Sequence, residues 1–281
     1  TVLVKGFFNM KPINKLIIPA AGIGSRFLPI TKSIPKEMLP LSNKPAIQYI
    51  VQEALDANIE SMLIVLSPEK TVIIDYFSCN HHLDKVLKEQ NKEEYTEGLN
   101  KILAQAQFQY FIQNQPKGLA NALLHARAAI DEDEFFAVSL PDDIIFGTPP
   151  EIQNLKELAE QEQATVIAVQ EVPREQISSY GVVAIEKQLS ENAYQISSLV
   201  EKPPADEAPS NLAIVGRYIF SQKLFQYIEK TPPSKTHGEV LLPETINLMI
   251  QNNEKVLAYK IQGTRYDIGT PEGWMKYIMQ H

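Results

Sequence analysis

The sequence predicts an α/β fold: a Rossmann-like, doubly wound, mixed but mainly parallel sheet with a small antiparallel region in its later part. Two observations predict it. Through the first 170 residues, short apolar runs alternate with amphipathic segments of helical period. Beyond residue 180, short strand-like runs follow one another with only turns between them, a change toward antiparallel pairing.

Lys15 to Ala21 (KLIIPAA) reads as a buried strand that Gly22-Ile23-Gly24 breaks into a loop. Pro29, Pro35 and Pro40 keep the next stretch irregular. Ala46 to Ala57 has helical periodicity, with Ile47, Ile50, Val51 and Leu55 on one face, and Ser61 to Leu66 is a second buried strand. This order is a parallel βαβ unit, whose crossover is expected to be right-handed. Helices follow at Lys70 to Phe77, Leu83 to Glu89, Leu119 to Ile130 and Glu151 to Gln161, alternating with strands at Gln107 to Gln113, Phe135 to Leu140 and Ala164 to Val169. Gly181 to Ile185, Tyr194 to Val200 and Ala213 to Phe220 are the turn-linked strands. Helices at Leu224 to Lys230, Leu242 to Gln251 and Pro271 to Met279, with a strand at Val256 to Ile261, complete the pattern. A single domain over 15–281 is expected, behind an N-terminal extension of residues 1–14. Met10 is a candidate natural start, with residues 1–9 an appended or upstream remnant.

A net charge of -8 argues against a nucleic-acid partner, because a phosphate backbone needs a basic field. No apolar run reaches the length of a membrane span, and the first residues lack the pattern of a signal peptide. With Cys79 as the one cysteine, no internal disulfide or cysteine-based zinc site forms, which suits a reducing, cytoplasmic compartment. His81 and His82 are adjacent, so they do not share one helix face as a metal pair.

The loop Ala20-Ala21-Gly22-Ile23-Gly24-Ser25-Arg26 follows the first strand directly. Glycines there let backbone N–H groups approach a phosphate or a base. A third glycine and a strand-ending acidic residue about twenty positions on are both missing, so this is not a dinucleotide fingerprint. Arg26 and Lys36 follow on a proline-pinned segment. They suit the charge of a triphosphate, but they equally suit a solvated surface loop. Asp142 and Asp143, after the strand ending at Leu140, suit either a divalent cation or a capped turn.

Together, Gly22 to Pro40, in the pattern G-x-G-S-R-x-x-P-x-T-K-x-x-P-K-E-M-L-P, resemble the signature loop of bacterial UTP–glucose-1-phosphate uridylyltransferases, also called UDP-glucose pyrophosphorylases. Gln113 with Lys117-Gly118-Leu119-Ala120-Asn121-Ala122, Leu140-Pro141-Asp142-Asp143, Tyr180-Gly181-Val182-Val183, Val200-Glu201-Lys202-Pro203 and Pro209 to Tyr218 are similar to later segments of that family, as is Asp267-Ile268-Gly269. The resemblance implies the nucleotide-diphospho-sugar transferase type of fold, with the antiparallel region on the sugar side. It implies that Ala20, Ala21, Gly22 and Gly24 hold the nucleotide and that Gln113 and Gly118 read the uracil edge. Arg26 and Lys36 would hold the triphosphate, Lys202 the sugar phosphate, and Asp142 and Asp267 Mg²⁺. Gly181, Glu201, Asn211 and Val215 would hold the sugar. Residues 15–170 would then be mainly the nucleotide half and 171–281 the sugar half.

The implied reaction takes UTP and glucose 1-phosphate to UDP-glucose and pyrophosphate, in a homodimer or homotetramer. Three departures stand out. Ala120 and Asn121 occupy positions where the family commonly has Gly and His. His237 to Ile246 (HGEVLLPETI) stands against the family's G-[DE]-E-I-Q-L-T-D-A-I, with Leu241 in place of glutamine and Pro243-Glu244 in place of Thr-Asp. A thymidylyltransferase, a transferase for another sugar, and a non-catalytic regulatory paralogue stay open at this stage.

Overall fold

The computed structural model describes residues 11–234 and 238–281. The candidate start at Met10 and the departing His237 lie outside the described residues. In chain order the elements are β1 (Lys15–Pro19), β2 (Pro40–Leu41), β3 (Lys44–Pro45), α1 (Ala46–Asp56), β4 (Ser61–Leu66), α2 (Thr71–Tyr76), α3 (His81–Glu89) and α4 (Glu97–Gln105). Then come β5 (Gln107–Ile112), α5 (Gly118–His125), β6 (Phe135–Ser139), β7 (Asp143–Phe146), α6 (Glu151–Glu162), β8 (Thr165–Glu171), β9 (Gly181–Gln188) and β10 (Ala193–Glu201). The chain ends with β11 (Leu212–Ser221), α7 (Leu224–Lys230), α8 (Leu242–Gln251), β12 (Val256–Lys260), β13 (Thr264–Asp267) and α9 (Pro271–Gln280).

The main sheet has the order β5-β4-β1-β6-β11-β8-β12-β10-β9. As the alternation predicts, β1 runs parallel to β4 and β6, and β4 to β5. The expectation of a mainly parallel sheet does not hold. β11 enters the centre antiparallel to both β6 and β8, β10 pairs antiparallel with β12 and β9, and β9 returns to β11 through Val182 and Ala213. Antiparallel pairings therefore outnumber parallel ones, and β8, β12, β10, β9 and β11 close on themselves as a ring. The cause is β11 itself. Its run LAIVGRYIFS is buried along nearly its whole length, and such a run marks a central strand without encoding its direction.

Both faces of the sheet are covered, which is why the strands read as continuous apolar runs rather than alternating ones. Leu16 and Ile18 of β1 join Ile47, Ile50 and Val51 of α1 in one core. Ile17, between them, points to the other core, with Leu123 of α5, Phe225 of α7 and Ile246 of α8.

Arg217 of β11 crosses from this sheet to α1. Its side chain is fully buried, and its Nη2 meets Glu53 Oε2 at 2.6 Å. Its Nη2 also donates to Asp143 O at 2.8 Å, and its Nη1 to Gly216 O at 3.0 Å and Leu140 O at 3.4 Å. Arg217→Leu should cost about 3–5 kcal/mol in urea unfolding, because Glu53 is left as an uncompensated buried charge. Arg217→Leu combined with Glu53→Leu should recover most of that loss, measured in the same experiment.

Candidate active site

The C-terminal ends of β1, β5 and β6 open at one edge of the sheet, where loop backbone is free to meet a ligand. Two cavities lie there. The first, about 310 Å³, is walled by Ala21, Gly22, Lys36, Gln113, Gly118 and Asp142 among others. The second, about 410 Å³, is walled by Arg26, Asp142, Gly181, Glu201, Val215 and Asp267 among others. Leu119, Leu140, Asp142 and Glu239 belong to both walls, so the cavities meet beside Asp142. Each draws residues from before and after residue 170.

The glycine loop is built by two different uses of glycine. Gly24 has φ +71°, the left-handed region, and a Cβ there would press on Thr31 at 3.1 Å. A Cβ on Gly22 would meet nothing within 4 Å. The fold itself therefore does not need Gly22, and its bare backbone faces open space on the first cavity. Ala20 is buried, and its carbonyl accepts from Lys70 Nζ at 2.6 Å. The same ammonium pairs with Glu37 Oε2 at 2.8 Å, so one buried lysine ties the glycine loop to the Pro35–Pro40 segment. Burial pushes the Lys70 ammonium below its usual value and the Glu37 carboxyl above its own, against their mutual attraction.

Lys36 Nζ donates to Asp142 Oδ2 at 2.5 Å. Burial opposes charge on both, but their attraction outweighs it. Lys36 is held above the ordinary lysine value and Asp142 below the ordinary carboxylate range, so both stay ionised through neutral pH. Asp143, the next residue, turns the other way. It accepts from Gly216 N at 2.7 Å and from Arg265 Nε at 2.7 Å. A Cβ on Gly216 would lie 2.7 Å from Leu140 Cβ and 2.8 Å from Asp143 Oδ2, so only glycine permits this approach.

Asp267, at the end of β13, accepts from Gly269 N at 3.0 Å and from Arg265 Nη2 at 3.2 Å. A methyl group on Gly269 would lie 3.0 Å from Asp142 Oδ2 and 3.2 Å from Asp267 Oδ1. Carboxylate oxygens of Asp142 and Asp267 thus approach the same point beside Gly269. Among the described residues no larger cluster of His, Cys, Asp or Glu forms a metal site. Two carboxylates are the usual protein share of a Mg²⁺ site completed by phosphates and water. Arg26 joins this corner, its Nη1 donating to Gly269 O at 3.4 Å.

Four expected residues line neither cavity: Ala20 and Gly24, which shape the glycine loop, and Asn211 and Lys202. Asn211 gives its amide to Glu171 Oε1 at 2.8 Å, away from the cavity wall that Val215 supplies. Lys202 is exposed, lies 3.6 Å from Glu201 Oε1, and has a φ of +46°. Lys70, Arg265 and Glu239 also belong to the site or its supports. No local signal marks the first two as site residues. Glu239 was visible as a retained position in the departing segment, and a Cβ on Gly118 (φ +83°) would lie 2.6 Å from its Oε2.

Residues 15–281 match the nucleotidyl transferase family model. The chain is 43% identical over 272 residues to the UTP–glucose-1-phosphate uridylyltransferase of Bacillus subtilis strain 168, covering 96% of this chain and 91% of that one. It is 40% identical over 268 residues to the Mycoplasma pneumoniae enzyme of the same name, covering 95% and 91%. The chain belongs to this nucleotidyl transferase family. Among solved members, an apo UDP-glucose pyrophosphorylase superposes with a TM-score of 0.91 at 38% identity, covering 95% of this chain and 97% of that one. A UTP-bound member from Acinetobacter baumannii gives 0.88 at 35% identity, covering 95% and 93%. Family membership and the Gly22 geometry together separate folding from binding. Gly22→Ala should leave stability within about 0.5 kcal/mol of wild type, while nucleotide affinity measured by calorimetry falls at least tenfold.

Proposed function

We propose that the chain transfers a uridylyl group from UTP to glucose 1-phosphate, releasing pyrophosphate and forming UDP-glucose. The observation that carries this reading is the meeting of two cavities at Asp142, one with glycine-rich backbone and a buried amide, the other with Glu201 and Gly181. A solved relative that is 38% identical carries UDP-glucose, whose two halves suit two adjoining cavities.

In this mechanism the sugar-phosphate oxygen attacks the α-phosphorus in line, the α–β bridging bond breaks, and pyrophosphate leaves. No covalent intermediate on the protein is needed, so the residues contribute positioning and charge neutralisation. Gly22 and Gly24 present the loop to the nucleotide, and Gln113 and Gly118 face the base. Lys36 leaves Asp142 for the phosphates, Arg26 holds the departing pyrophosphate, and Glu201 with the backbone near Gly181 and Val215 receives the sugar hydroxyls. Asp142 and Asp267 would hold Mg²⁺, which supplies neutralisation of phosphate charge when bound.

Lys202 is placed on the sugar phosphate. A lysine held at positive φ is an uncommon backbone state, and such states gather at functional positions. Its neighbour Glu201, 3.6 Å from the ammonium, lines the second cavity, so Lys202 stands at that cavity's rim. The same reading places the protein in the cytoplasm as a homodimer or homotetramer. Among the described residues, no helix is long and apolar enough to cross a membrane.

Purified protein with UTP, glucose 1-phosphate and Mg²⁺ should release pyrophosphate, with dTTP as the competing nucleotide. No pyrophosphate from either nucleotide would overturn the reading in favour of a non-catalytic regulator. Asp142→Ala should lose on the order of 10²–10³ in turnover, as for a lost charge-stabilising group. Lys202→Gly should lose a similar factor while unfolding at a urea concentration equal to or above wild type, since glycine relieves the left-handed backbone. Near-normal turnover in either variant removes that residue from the mechanism.

A further inference from the structure

In the proposed reaction UDP-glucose occupies the two cavities that meet beside Asp142. The other product, pyrophosphate, carries several negative charges. Taking such an anion past apolar walls is costly, so it needs a path where cations and water meet it. With both cavities filled, that path starts at Arg26 and leads elsewhere.

A third cavity, about 680 Å³, shares Arg26, Ser179, Tyr180, Arg265 and Asp267 with the second. Arg265 Cζ lies 5.5 Å from the centre of the Tyr180 ring, so these two side chains stand in the partition between the two spaces. Arg26 borders both and is exposed. Its one hydrogen bond among the described residues is the long contact to Gly269 O, so most of its five donors are open to an anion on either side. Beyond the partition the third cavity continues along α9. Gly273 and Lys276 both line it, three residues apart on one face of that helix. Lys276 is exposed, with no hydrogen bond or ion pair among the described residues. The carboxylates on the wall are already met: Glu171 accepts from Asn211, and Asp267 from Arg265 and Gly269 N. The cavity therefore offers two unpaired cations and no unpaired carboxylate, in a chain of net charge -8.

We propose that this third cavity is the passage by which pyrophosphate leaves, and by which it enters in the reverse reaction, passing between Arg26 and Lys276. Arg26 meets the anion at the partition, and Lys276 meets it one helix turn further out. The inference rests on the proposed function, and it adds to that reading a separate anion site and a residue, Lys276.

Kinetics of the reverse reaction, UDP-glucose plus pyrophosphate, test it. Lys276→Gln should raise the KM for pyrophosphate about threefold to tenfold, as for one lost charge-assisted contact, while the KM for UDP-glucose stays within about twofold of wild type. Lys276→Arg keeps the charge and should restore the wild-type value for pyrophosphate. A glutamine variant with an unchanged pyrophosphate KM, a parallel rise for UDP-glucose, or an arginine variant that behaves like the glutamine one overturns the proposal. Calorimetry with inorganic pyrophosphate alone separates this site from the transferase reading. Binding that weakens in Lys276→Gln and returns in Lys276→Arg, in a protein that forms no pyrophosphate from UTP or dTTP, would keep the site and reject the transferase. Pyrophosphate binding that is indifferent to Lys276 overturns the site whatever the turnover.

Discussion

The burial of Arg217 is the constraint on which the site depends. A guanidinium keeps its charge at any pH the fold survives, so its donors must all be met inside the protein. Glu53 meets one edge, and the carbonyls of Leu140, Gly216 and Asp143 meet the rest. Those carbonyls belong to the two backbone segments that face each other across the site. A buried ion pair of this kind is weak evidence for net stability, because hydrophobic residues of equal volume often do as well. What hydrophobic replacements do not reproduce is the directed set of bonds to three carbonyls, which fixes the turn carrying Asp142 relative to the strand carrying Val215.

Two neighbouring aspartates take opposite roles because of that fixed turn. Asp143 is sealed under the turn, bonded to Gly216 N and Arg265, and burial pushes its carboxyl above the usual range. Asp142 faces the cavities, and Lys36 holds it below that range. Their values are driven apart by environment alone. The carboxylate that stays charged faces the cavities, while its neighbour serves the backbone.

Much of this was legible in the sequence, and the limits follow from what local patterns encode. The periodicity of Ala46 to Ala57 and the closed apolar run of Ser61 to Leu66 match α1 and β4 nearly to the residue. The helices of Leu224–Lys230 and Leu242–Gln251 were equally plain. α4, β7 and β13 were not read. The last two are four-residue strands that pair only with each other, and α4 buries Ile102 alone among its residues. The central place of β11 was hidden for another reason, since hydrophobicity marks burial but not direction. In the site, motif residues were legible and their supports were not. Lys70 and Arg265 act on Ala20, Glu37 and Asp143 from distant parts of the chain, and nothing near them in sequence announces it. Asn211 and Lys202 show the converse: the motif was plain, but the structure holds their side chains against Glu171 and Glu201.

The charge arrangement also explains how a chain of net charge -8 serves an anionic ligand. Lys36 and Lys70 sit beside the first cavity, but each is already matched by a carboxylate, Asp142 and Glu37. The two pairs differ in what a ligand can take from them. Lys70 is sealed, bonded at once to Glu37 and to Ala20 O, and breaking it would strand a buried charge. Lys36 is bonded to a carboxylate that a divalent cation can also neutralise. In the proposed mechanism Asp142 and Asp267 would hold the cation, and Lys36 would then be free to meet phosphate oxygens. The Lys36–Asp142 pair, rather than the more deeply buried Lys70–Glu37 pair, is therefore the one open to exchange with a ligand.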